Sequence, residues 1–239
     1  MVGLVSDVGL KRTLNEDCAS YLEKDEFKIY VVADGMGGHN AGEVASQMAA
    51  QRIVNYVNEK FSSCRIENLI DEAIKKVNRD IFNFSNTNEK LSGMGTTVTV
   101  CFITKSFIQV ANVGDSCCLA IKGNEIRKIT KDHSLVQELV DSGSISEKEA
   151  ENHPKKNIIT RALGTNSSVI VDVFQLENNE YNSYILCSDG LTNELTKEKI
   201  LQVVTEEKDY IQSANKLVYF AKENGGRDNI TVLLFGGEM

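Results

Sequence analysis

Three times in this 239-residue chain an apolar run meets an aspartate beside a glycine: Asp34-Gly35 after VVA, Gly114-Asp115 after VANV, and Asp189-Gly190 after ILCS. Such a run reads as a strand leaving the core, so the carboxylate at its end faces solvent at a sheet rim, and glycine lets a backbone or ligand approach closely. Two further acids open strand-like runs instead of closing them, Asp17 in NEDCASYL and Asp228 in RDNITVLLF. In an antiparallel sheet the start of one strand lies beside the end of its neighbour, so all five aspartates can share one rim. Gathered there, they would repel one another and raise their pKa values unless cations neutralised them. An oxygen-only donor set with no His or Cys suits hard ions such as Mg²⁺ or Mn²⁺ and disfavours zinc or copper. The plain alternative, that each Asp caps a turn, suits any single Asp-Gly pair better than it suits the whole set.

The elements that must position these acids are legible in outline. Apolar, β-branched segments predict strands at 27–33, 96–104, 107–113, 169–176, 183–188 and 230–235. Val44, Ala45, Met48, Ala49, Ile53, Tyr56 and Val57 repeat at helical spacing, as do Leu69, Ile70, Ala73, Ile74, Val77 and Ile81. Shorter helices are predicted at 135–141, 146–152, 197–204 and 210–224. Strands, a helix pair, more strands, further helices and a last strand do not alternate as a parallel sheet requires, so the expectation is an α+β fold with antiparallel sheets. The short link around Lys105-Ser106 makes 96–104 and 107–113 a hairpin.

Twenty-six basic residues against 34 acidic ones give a net charge of −8, which argues against a surface that binds nucleic acid. No apolar run approaches the roughly 18 to 20 residues that span a bilayer, and MVGLVSDVGLKR lacks the hydrophobic stretch of a secretory signal, so a cytoplasmic protein with no membrane partner is expected. The six cysteines show no C-x-x-C spacing and are read as reduced, mostly core thiols. Gly35, Gly37 and Gly38 miss the G-x-G-x-x-G nucleotide pattern because Asn40 stands at the last glycine position.

The segments SDVGLKRTLNED (6–17), VVADGMGGHNAGEVAS (31–46), GMGTTVTV (93–100), ANVGDS (111–116), ITKDHSLVQELVDSGSI (129–145), NHPKKNIITRALG (152–164), LCSDGLTNEL (186–195) and GGRDNITVLL (225–234) resemble, in order and over nearly the whole chain, the metal-dependent serine/threonine phosphatases. These are the protein phosphatase 2C-like or PPM family, and the DGMGGH wording resembles its bacterial branch. The resemblance implies a four-layer α-β-β-α sandwich with two central antiparallel sheets. It implies a single catalytic domain over 1–239, with a flap at about 142–164.

Carried onto matching residues, the resemblance implies two Mn²⁺ or Mg²⁺ ions bridged by Asp34. The carbonyl of Gly35 would be on one metal, Asp189 and Asp228 on the other, and Asp17 would bind metal-held water. A third, weaker ion would be held by Asp115 with Asp189. Arg12 would grip the substrate phosphate, its planar fork matching two phosphate oxygens as Lys11 cannot. Arg12, Asp34 and Asp189 are thus the expected catalytic set. The implied substrates are phosphoserine and phosphothreonine proteins, including a cognate serine/threonine kinase, and a monomer is favoured.

Two positions depart from the family pattern. Met36 stands where the eukaryotic branch has a proton-donating histidine, which leaves His39 acting through water, or a metal-held water, as candidate acids. Cys117 stands where the family usually has arginine after GDS. His133 is expected to fix its loop through hydrogen bonds. The competing readings are a phosphatase-like binding module, which loss of a ligand acid would favour, and a metal phosphodiesterase, which the acidic balance opposes.

Overall fold

The computed structural model describes every residue except 38–40, 88, 152 and 208, so His39 lies outside the described residues. Among the described residues, β1 (Val2–Asp7), β11 (Ile230–Gly236), β10 (Ser183–Cys187), β7 (Cys117–Lys122) and β8 (Glu125–Lys128) form one antiparallel sheet in that order. The second runs β2 (Asp17–Glu23), β3 (Phe27–Met36), β5 (Val98–Thr104), β6 (Ile108–Val113) and β9 (Asp172–Leu176). A short β4 (Gly95–Thr96) pairs with the end of β3.

The pleat divides side chains between layers. Phe27, Ile29, Val31 and Ala33 of β3 pack under α1 (Ala41–Lys60) and α2 (Leu69–Ser85), whereas Tyr30 and Val32 face the other sheet. On the opposite side Ile230, Val232 and Leu234 of β11 pack under α6 (Lys197–Glu206) and α7 (Tyr210–Glu223), whereas Leu233 and Phe235 meet Tyr30 between the sheets. Tyr30 and Phe235 stack there with ring centroids 3.6 Å apart. The expected α-β-β-α layering is thus observed. Both faces of the central strands are buried, which is why they read as continuous apolar runs instead of alternating ones.

The helices follow their buried stripes. Ala45, Ala49, Ile53 and Val57 bury one face of α1, with Met48 and Tyr56 packed at its margin as core contacts. α3 (Leu135–Asp141) and α6 begin where Ser134 and Thr196 accept hydrogen bonds from Gln137 N and Lys199 N, and Asp209 caps α7 through Ile211 N at 2.9 Å.

Several elements depart from the sequence reading. The predicted strand 96–104 is broken at Thr97, because Thr96 exchanges two hydrogen bonds with Leu163, at 3.1 and 2.8 Å, and Thr97 N turns to Asp34 O. The predicted strand 169–176 pairs only from Asp172 onward, although Val169 and Val171 still pack on the core. β1, β7 and β8 were not anticipated. β7 (CCLAIK) is buried on both faces and shows no alternation, and β8 (EIRK) is short and charged.

Register sets the ends. Asp17 opposes Asp34, Val98 opposes Val113, and Asn112 opposes Asp172, so β2 and β9 start where β3 and β6 end. In the other sheet Cys187 opposes both Cys117 and Val232, and Asp7 opposes Ile230. The five aspartates singled out above therefore sit on the same rim.

Candidate metal centre

Asp34 occupies the middle of this rim. Burial and the charges of Asp17, Asp189, Asp115 and Asp228 together push its carboxyl well above the usual range. Asp17, itself buried, is pushed up to about 7 by desolvation and then by Asp189 and Asp228. Asp115 is pushed up to about 7 by burial and by Asp189 and Asp132, and Asp189 to about 6 by burial and Asp228. The sequence-predicted acids are thus brought within electrostatic reach of one another. Uncompensated, that arrangement destabilises the fold.

Two of the carboxylates are held by one oxygen and offer the other. Ser188 Oγ donates to Asp17 Oδ2 at 2.7 Å, and Asn193 Nδ2 donates to Asp189 Oδ2 at 2.9 Å. Their Oδ1 atoms, and that of Asp115, are buried without a hydrogen-bond partner. An orphaned carboxylate oxygen in a low-dielectric cleft is costly and is the expected signature of a cation's place. The donor chemistry and the orphaned oxygens therefore fit hard divalent ions. Among the described residues no three His, Cys, Asp or Glu side chains stand close enough, as they are placed, to hold a metal ion together.

The supports are local. Asp34 N receives Thr97 Oγ1 as its acceptor at 3.0 Å, and Thr96 Oγ1 donates to Asp34 O at 2.9 Å, which pins the strand end. Gly114 adopts φ 107°, and a Cβ there would come within 2.6 Å of Thr97, so only glycine makes the turn that presents Asp115. Arg12, on the loop between β1 and β2, is exposed and donates through Nη2 to Asp228 Oδ2 at 2.8 Å. The structure thus places Arg12 at the same rim as the acids.

Two further groups near this rim, Arg161 and Lys156, carried no expectation. Arg161 Nη1 donates to Asp172 Oδ1 at 2.7 Å, tying the end of the 142–164 segment to the start of β9. Lys156 Nζ, within that segment, donates to Asn193 Oδ1 at 3.0 Å, and through it touches the amide that holds Asp189. His133 is buried, and its Nδ1 accepts the Gly114 N–H at 3.0 Å while its backbone N–H donates to Gly114 O at 2.9 Å. Burial holds that imidazole below its usual range, and the expected loop-fixing role matches these bonds. Ser188, Asn193 and Arg161 lay inside the quoted motifs, but nothing in their types marks them as supports: Ser188 serves an acid 171 residues away, and Asn193 reaches Asp189 only through the local turn. Cys117 meets Cys187 across β7 and β10, sulfur to sulfur at 3.6 Å, and all six cysteines are free thiols as expected.

Residues 11–230 match the sequence profile of protein phosphatase 2C. The chain belongs to the protein phosphatase 2C family. It is 40% identical over 233 residues to the serine/threonine phosphatase stp of Listeria welshimeri, covering 96% of this chain and 92% of that protein. To the protein phosphatase PhpP of Streptococcus pneumoniae it is 38% identical over 248 residues, covering 98% and 96%. The crystal structure of the Mycobacterium tuberculosis serine/threonine phosphatase PstP/Ppp superposes with a TM-score of 0.89 at 33% identity, covering 100% of this chain and 99% of that one. The resemblance read from the motifs, and the two-sheet α+β fold it implied, therefore hold. Family members depend on divalent metal in general, which agrees with the oxygen donors at this rim. No helix among the described residues is long and apolar enough to cross a membrane.

Proposed function

We propose that this protein phosphatase 2C member hydrolyses phosphoserine and phosphothreonine on proteins by attack of a metal-activated water at a binuclear Mn²⁺ or Mg²⁺ centre. The observation that carries the proposal is the meeting of Asp17, Asp34, Asp115, Asp189 and Asp228 at one rim, with buried, unpartnered oxygens on three of them. When bound, paired divalent ions neutralise phosphate charge and make hydroxide available near neutral pH.

Asp34 would bridge the pair, with the Gly35 carbonyl beside it and Asp189 and Asp228 completing the set. Asp17 would orient water, and Asp115 with Asp189 would hold a third, weaker ion. Arg12 would exchange Asp228 for two phosphate oxygens, so that its guanidinium would hold the substrate phosphate against the carboxylate rim. No protein nucleophile is needed, and no cysteine here has an arginine six residues later. We further propose one catalytic domain over 1–239 with 142–164 as its flap, working in the cytoplasm as a monomer on phosphoproteins that include a cognate kinase.

The test is an assay on metal-stripped protein with p-nitrophenyl phosphate and a phosphothreonine peptide. Both substrates are expected to turn over only after Mn²⁺ or Mg²⁺ is restored, and Mn²⁺ is expected to raise the melting temperature by binding the native state. Equal rates in excess EDTA would eliminate the mechanism.

A further inference from the structure

Asn229 follows Asp228 directly and is 4% exposed, yet its carboxamide reaches across the rim to a loop more than 200 residues earlier. Its Nδ2 donates to Val8 O at 3.0 Å and to Leu14 O at 2.9 Å, and its Oδ1 accepts Glu16 N at 2.8 Å. Three of the four hydrogen-bonding valences of one planar group thus grip both ends of the loop that carries Arg12. The backbone of the same residue serves the carboxylates: Asn229 N donates to Asp228 Oδ1 at 2.8 Å. A Cβ on Gly190 would lie 2.0 Å from Asn229 O, so the turn carrying Asp189 packs against this peptide as well.

We propose that Asn229 is a positioning residue that sets where Arg12 stands relative to Asp228 and Asp189, by fastening residues 8–16 at both ends. The proposal rests on the phosphatase reading for its effect on substrate, and on hydrogen bonds alone for its effect on the loop. The side chain requirement is narrow. Two donors and an acceptor must leave one short planar group, so aspartate lacks the donors, serine lacks the reach, and both leave the half-buried carbonyls of Val8 and Leu14 without this donor. Arg12 and Asp228 then lose their fixed spacing, and a phosphate held by Arg12 is no longer aligned with the carboxylate rim.

Two measurements on the full chain test this, with Asn229→Asp and Asn229→Ser made in parallel so that a folding failure of one leaves the other. Lys11 and Arg12 are exposed, so trypsin reads the loop directly. Cleavage after either residue, followed by mass spectrometry on folded protein, is expected to accelerate about 10-fold or more in the variants. In Mn²⁺-loaded protein the KM for a phosphothreonine peptide is expected to rise about 10-fold while kcat changes less than about 3-fold. In an Arg12→Ala background the same substitutions are expected to leave KM within about 2-fold, because the residue they act through is gone.

Unchanged cleavage at 11–12 would overturn the proposal. So would an equal KM effect with and without Arg12, since that pattern belongs to general loosening of the fold. A wild-type protein inactive with every metal would instead overturn the phosphatase reading, while the trypsin result would still decide whether Asn229 fastens the loop.

Discussion

Replacing Asp34 with asparagine is expected to lower turnover by at least about 10³-fold and, in the same protein stripped of metal, to raise the melting temperature. The two effects have one cause. Asp34 faces Asp17 across the β2–β3 pair and feels Asp115, Asp189 and Asp228 as well, so burial and four neighbouring acids all oppose its charge. A divalent cation converts that opposition into binding, and without the cation it is a cost to the fold. The sign can be followed through pH. Asp17 and Asp115 at about 7, and Asp189 at about 6, all lie above the 3.8 of a free aspartate, so the folded chain binds protons that the unfolded chain has released. The contribution of these three groups to the stability of the metal-free protein is therefore greatest below about pH 4 and is lost as pH rises towards about 7. Asp34→Asn removes a central charge and should flatten that fall, raising the melting temperature at neutral pH by a few degrees, about 2 to 4 °C for each kcal/mol gained. Thermal scans in EDTA between pH 4 and 8, beside turnover in Mn²⁺, read both effects. An active or a destabilised Asp34→Asn protein would contradict this account.

Arg12→Ala is expected to raise KM for phosphopeptides by about 10- to 100-fold, the equivalent of one or two charge-assisted hydrogen bonds, with a smaller loss in kcat. The side chain is about half exposed, and its metal-free partner is Asp228 at the rim. An exposed pair of this kind contributes little to folding, so the melting temperature should stay within about 1 °C. Arg12→Lys should recover only part of the loss, because a single ammonium cannot present two parallel donors to one phosphate. Steady-state kinetics on the three proteins decide it, and an unchanged KM and kcat in Arg12→Ala would remove this residue from the site.

The carboxylates were legible because each marks the point where an apolar run stops, and a run buried on both faces is hard to miss. Asp34, Asp115 and Asp189 close such runs, and antiparallel pairing is enough to bring the openers Asp17 and Asp228 to the same end. β7 escaped although it is buried on both faces, because Cys117 to Ala120 are cysteine, leucine and alanine, which lack the β-branched strand signal. The break between β4 and β5 escaped because its cause is Leu163, 67 residues downstream of the Thr96 it competes for. The supports were the least visible. Ser188, Asn193 and Asn229 are ordinary polar residues in sequence, and what distinguishes them is a buried or remote partner that only the folded chain supplies. Acidic motifs announce where the chemistry is, while the polar groups that aim them are set by tertiary contacts.

The central claim is that these distant aspartates close on a pair of divalent ions. Its most direct measurement is anomalous diffraction from a crystal of the protein soaked in Mn²⁺. The account predicts two strong peaks about 3.5 to 4 Å apart, Asp34 reaching both and Asp189 and Asp228 on one. Peaks elsewhere on the surface, or none at this rim at saturating Mn²⁺, would contradict it.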